Sequence, residues 1–203
     1  MFALIENGKF VKIVNSNKGI TIGDNQYPKS IYSLWSEDER NQIGIYEVSV
    51  DNTNKKDEEY YINTDISYSF DGSSVIGSYG TPTPKSLDDV LFVEGDEIPS
   101  DKAVGDIKQY GLKGQKISII KQQAGGLLAP TDWQVIKEME TSDYVVPTEI
   151  TEYRTQVRAK SNEMEQQINA CGTVEDLKTL FTYTEQADGT VSRPLVEFPK
   201  EVI

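Results

Sequence analysis

LLAPTDWQVIKEMETSDYVVPTEITEYRTQVR, residues Leu127–Arg158, is the stretch whose reading decides the fold. It holds an apolar pair, a Pro-Thr-Asp-Trp turn and two runs of helical periodicity separated by a Val-Pro break. Thr131 reads as an N-cap whose hydroxyl accepts from an unpaired backbone N–H. Gln134 stands at the capping-box position, and Asp132 favours the positive end of the helix. Trp133, Ile136 and Glu140 share one face with Val135 and Met139 beside it, which predicts a short amphipathic helix of about two to three turns. Pro147 closes the connection, because the residue before a proline is driven out of the helical region. Thr148 then opens a longer helix with apolar positions Ile150, Tyr153, Val157, Met164, Ile168 and Cys171. The two helices are expected to fold back as an αα-hairpin, with Trp133 and Tyr153 near the crossing.

The long helix poses a question of self-association. Ile150, Val157, Met164 and Cys171 recur every seven residues, but the matching positions Tyr153, Lys160 and Gln167 include only one apolar side chain. So weak a seam favours packing within the hairpin over a homotrimeric bundle. Beyond it, Gly172 reads as a C-cap and Thr173-Val174-Glu175-Asp176 starts a last short helix carrying Leu177, Leu180 and Phe181. A tail, 186–203, contains Asp188-Gly189 and is read as a terminal hairpin joining Thr190-Val191 to Leu195 and Phe198.

Upstream, Ile107, Tyr110, Ile117, Ile119, Ile120 and Ala124 line a helix or two interrupted at Gly111 and Gly114, and Leu87–Val93 reads as a short apolar turn or helix. Gly80-Thr81-Pro82-Thr83-Pro84 is the clearest linker. The N-terminal part reads as β. Phe2–Ile5 and Phe10–Val14 flank Asn7-Gly8, a strong two-residue hairpin signal. Ile20–Ile22 adds a strand before a turn at Gly23-Asp24-Asn25. Ser36-Glu37-Asp38-Glu39 is a capping box for a short helix ending at Gly44. Ile45–Val50 is a strand, and Tyr60–Phe70 turns through Asp71-Gly72 into Ser74–Tyr79. The expected class is α+β: a small antiparallel β-rich domain (1–80), a linker (81–100), a helical-hairpin domain (101–185) and the tail.

Composition narrows the chemistry. The 203 residues carry a formal net charge of −13, no histidine and one cysteine. Such a surface repels nucleic acid and anionic membrane, so neither is expected as a partner. The N-terminus turns polar within five residues and does not read as a signal peptide. A disulfide within the chain is excluded, and a zinc or Cys/His site has no support. The carboxylate clusters Glu37/Asp38/Glu39, Asp57/Glu58/Glu59 and Asp88/Asp89 read as helix-start charges and solvated loops, since adjacency in sequence gives no facing pair across a cleft. Cys171 lies on the apolar helix face as a small hydrophobe with no histidine to activate it. No catalytic residue, metal or cofactor is therefore expected. The chemistry left is contact with other proteins, for which Trp35, Tyr60, Tyr68, Trp133, Tyr153 and Arg154 are the candidates. Core packing competes for each of them, and a tyrosine-presenting glycan-binding module is a further option.

LLAPTDWQVIKEME, a spacer ending in Val-Pro, and EITEYRTQVR together resemble the C-terminal helical region of small tail proteins of tailed bacteriophages, including tail-fibre assembly proteins and related tail- or baseplate-associated proteins. ALIENGKFVKIV and LWSEDERNQIGIYEV look like the small β region of such proteins, while 51–100 is unmatched. Lys137 stands where an arginine is often expected. The resemblance implies a non-enzymatic protein of the virion, made in the host cytoplasm, that acts on tail-fibre or baseplate proteins. It would serve either as a resident adaptor or as an assembly chaperone.

Overall fold

Asn7 and Gly8 both adopt positive φ (51° and 72°), the twist a two-residue hairpin needs, and they join β1 (Phe2–Glu6) to β2 (Lys9–Val14). The computed structural model describes residues 1–201 and divides into two units between Thr83 and Pro84. In the first, β3 (Ile20–Ile22) and β4 (Asn25–Tyr27) form a small hairpin, followed by α1 (Ile31–Leu34) and α2 (Glu37–Gln42). Both halves of the Ser36/Glu39 capping box form. Gly44 (φ +82°) leads into β5 (Ile45–Asp51), and a Cβ there would strike the Ile5 carbonyl. The alternation from Tyr60 to Phe70 is split into β6 (Tyr61–Ile62) and β7 (Ile66–Phe70). The Asn63 side-chain amide accounts for the break, since it bonds the backbone N–H and C=O of Lys56 and folds the preceding loop back. β8 (Val75–Tyr79) follows, and the short β9 (Thr83–Pro84) straddles the boundary.

The main sheet has the order β2-β1-β5-β8-β7. It is not wholly antiparallel as expected, because β8 runs parallel to β5. The long connection through β6 and β7 brings the chain back in the same direction, which no tight turn could do. Phe10 on β2 and Tyr68 on β7 stack 5.0 Å apart, so the two edge strands approach and the sheet curls. Its inner face packs Ala3, Ile5, Val48 and Val75, closed by Phe10, Ile13, Tyr46, Tyr68 and Phe70. Its outer face packs Leu4, Val14 and Ile45 against Ile20, Ile22 and Tyr32. Strand β1 is buried on both faces, which explains its unbroken Ala-Leu-Ile run.

In the second unit, Val90–Leu91, expected in a short apolar turn or helix, and Ile107–Gln109, expected at the start of a helix, instead form a strand pair, β10 (Val90–Leu91) with β11 (Ile107–Gln109). Helix α3 (Leu112–Leu128) starts under the segment before β10. Its first amides donate to the Asp89 carboxylate and to the Ser86 and Leu87 carbonyls, at 2.8–3.0 Å. These partners satisfy helix-end donors that have no intrahelical acceptor. A 3-10 turn, Ala129–Thr131, continues directly into α4 (Asp132–Glu140), and α5 (Thr148–Ala170) follows the Val-Pro break. Then come α6 (Val174–Phe181), with its Thr173/Asp176 capping box, and the hairpin β12 (Thr184–Glu185) and β13 (Val191–Ser192). This hairpin turns at Asp188-Gly189, but its partner strand lies before the turn rather than at Leu195 and Phe198. Leu195 is instead buried, and its N–H donates to the Leu180 carbonyl. The last two residues of the expected tail lie outside the described ones.

The fold is α+β, with helices α3 and α5 antiparallel: Leu128 lies by Arg154, Ala124 by Val157 and Lys121 by Glu165. The partner of the long helix is therefore α3, not α4. Every apolar position read from its sequence is buried, from Ile150 to Cys171, but Tyr153 packs against Ala124, Leu127, Leu128 and Phe198 rather than meeting Trp133. The Cys171 thiol is pushed up by burial and, to a lesser degree, by Asp176.

Candidate interaction surface

Arg154 explains why α4 sits where it does. Its guanidinium donates to the Leu128 carbonyl at 2.9 Å, the Thr131 hydroxyl oxygen at 2.5 Å and the Asp132 carboxylate at 2.7 Å. One side chain thus ties the end of α3, the 3-10 turn and the start of α4 to the middle of α5. Thr131 is not the cap its sequence position promised. Its hydroxyl donates back to Leu128 and accepts from Arg154, while the 3-10 turn already supplies the amide of Asp132 with an acceptor at Ala129. Gln134, freed from a capping box, accepts from the Tyr144 hydroxyl at 3.0 Å. The Glu138 carboxylate accepts from the Val146 N–H at 3.0 Å, and the Lys137 ammonium lies 4.4 Å from the centre of the Tyr144 ring.

These polar latches hold α4 without burying it. Trp133, Ile136 and Met139 recur every three residues and are 56%, 53% and 84% exposed, and Val145 in the following loop is 76% exposed. Trp133 is braced by Tyr144, its ring 6.3 Å away. The helix has no buried residue. An amphipathic sequence thus presents its apolar stripe to solvent, flanked by Glu140 and Asp143. The stripe exposes on the order of 400 Å² of apolar surface, at the size that marks interaction sites on soluble proteins.

The other candidate positions fall differently. Tyr60, Tyr153 and Arg154 are buried, so they serve the interior rather than a partner. Tyr68 belongs to the inner face of the curled sheet. Tyr61 is buried as well, while Tyr68 and Tyr79 are half-buried. Trp35 is half-buried, edge-on to Tyr27 at 5.9 Å, and its carbonyl accepts from Arg40. Among the six, Trp133 alone is largely exposed. Sequence alone does not mark Ile136, Met139 or Val145 as contacts, because periodicity places a residue on an apolar face without saying whether that face is covered.

Among the described residues, no three His, Cys, Asp or Glu side chains are grouped to hold a metal ion, and no helix is long and apolar enough to cross a membrane. Comparison with protein-family models, curated proteins and solved structures gives no match.

Proposed function

We propose that the protein is a non-enzymatic structural component of a bacteriophage tail, an adaptor or fibre-associated part that links tail fibre and baseplate through protein–protein surfaces. The observation that carries the reading is the solvent-facing Trp133/Ile136/Met139 stripe on a helix fixed in place by Arg154. Covering it is worth roughly 10 kcal/mol of gross apolar burial, enough to offset the freedom lost on association when the surface is already rigid. The resemblance of Leu127–Arg158 to phage tail proteins supports the same context, since it spans this element.

Mass spectrometry of purified phage particles tests the proposal, with the protein expected at a fixed ratio to fibre or baseplate protein. An Ile136→Ser/Met139→Ser variant should keep its unfolding temperature yet bind its tail partner about a hundredfold more weakly. Absence from particles together with stoichiometric binding to fibre protein in lysates would replace the resident role with that of an assembly chaperone. Full incorporation of the double variant would remove the stripe from consideration.

A further inference from the structure

Charge is unevenly distributed along this acidic chain. Residues 12–33 hold three lysines, Lys12, Lys18 and Lys29, and one acid, Asp24 at the tip of the β3–β4 hairpin. None of the three lysines pairs with a carboxylate among the described residues, whereas Lys55, Lys108, Lys113, Lys121 and Lys160 each do. The same segment is concave. One cleft of about 390 Å³ is lined by Lys12, Asn15, Lys18, Thr21 and Tyr32 over an apolar floor of Ile13, Val14 and Ile20. A second, of about 420 Å³, is lined by Phe2, Ser16, Asn17, Lys29, Ser33 and again Tyr32. Tyr32 is thus the wall between two adjoining clefts. Its hydroxyl is removed from solvent and has no hydrogen-bond partner, a costly state for a polar atom.

We propose that these paired clefts bind a multiply anionic oligosaccharide, with the three ammonium groups holding its carboxylate, sulfate or phosphate groups and Tyr32 forming the wall between the two halves of the site. The lining favours this class over a peptide. It offers hydroxyl and amide groups and the aromatic rings of Phe2 and Tyr32, but no deep apolar pocket for a hydrophobic side chain. Lysines suit such a ligand because an ammonium is a point charge without the fixed fork of arginine, and so accepts varied anionic geometries. The site lies in the first unit and is independent of the α4 stripe.

The test uses the full chain, ¹⁵N-labelled, titrated with a heparin-derived tetrasaccharide, with uncharged maltotetraose and with inorganic sulfate. The sulfated tetrasaccharide should shift amides within 12–33 and bind at least about tenfold more tightly than sulfate alone, while maltotetraose gives no shifts. A Lys12→Gln/Lys18→Gln/Lys29→Gln variant, which alters only exposed side chains, should lose roughly tenfold or more in affinity. Tyr32→Phe should leave both affinity and unfolding temperature unchanged, because the hydroxyl it removes is out of reach of solvent and has no partner in the fold. Shifts spread over lysines elsewhere, equal binding of sulfate or maltotetraose, or unchanged affinity in the triple lysine variant would overturn the proposal.

Discussion

Replacing Arg154 with methionine keeps the bulk of the side chain within α5 and removes only its guanidinium. Three contacts go with it: to the Leu128 carbonyl, the Thr131 hydroxyl and the Asp132 carboxylate. Hydrogen bonds to charged groups are each worth about 1.5–3 kcal/mol, but they are not additive here. Asp132 is half exposed and regains water when the pair is broken, so its contact counts for less. The Leu128 carbonyl and the buried Thr131 hydroxyl keep their bond to each other, but each loses its charged donor. A loss of about 2–4 kcal/mol follows, against a gain of apolar packing from methionine that can return part of it. For a unit of this size that lowers the unfolding temperature by roughly 8–15 °C. Fluorescence isolates the effect, because each unit contains one tryptophan: a Trp35→Phe background leaves Trp133 as the only reporter. Hydrogen exchange should show α4 amides opening first while the α3–α5 pair remains protected. Arg154→Lys should fall between, since one ammonium cannot reach all three acceptors. A loss below about 0.5 kcal/mol in Arg154→Met, or loosening of α3 and α5 ahead of α4, would refute the latch.

Glycines separate the two sides of packing. A Cβ at Gly77 would lie 2.8 Å from both Ile66 and the Tyr68 ring, so Gly77→Val should cost about 2–3 kcal/mol. Gly125→Ala, in the last turn of α3 with nothing within 4 Å of the new methyl, should instead stabilise by about 0.5–1 kcal/mol; urea unfolding compares the two. Asp71 accepts from the amides of Ser73 and Ser74 and from both their hydroxyls, which holds its carboxyl far below its ordinary value of 3.8. A depressed carboxyl stabilises the fold fully above its unfolded pKa and loses that contribution as pH falls through the folded one. The stability difference between the wild type and Asp71→Ala should therefore be constant at neutral pH and shrink below pH 3.8, as followed by thermal unfolding.

Much of the molecule was legible because its signals are local. The Asn7-Gly8 turn demands positive φ from two adjacent residues, the Ser36/Glu39 and Thr173/Asp176 boxes each close within four residues, and the apolar spacing along α5 needs only the pitch of a helix. Each was readable without knowing what lay across from it. What sequence left open was partnership. Val90–Leu91 and Ile107–Gln109 are a strand pair because each supplies the other's backbone partners, and neither run alone distinguishes that from a helix. Thr131 has the chemistry of a cap, but the guanidinium of Arg154, twenty-three residues away, takes its oxygen instead. Periodicity put Trp133 and Ile136 on one face of α4, and only the three-dimensional arrangement, in which α3 occupies the groove of α5, leaves that face uncovered. The sequence by itself determined where helices and turns form and which side of each is apolar, because those depend on neighbours a few bonds away. Which apolar sides meet, and which remains for another molecule, is decided by contacts between distant residues, and that belongs to the tertiary structure alone.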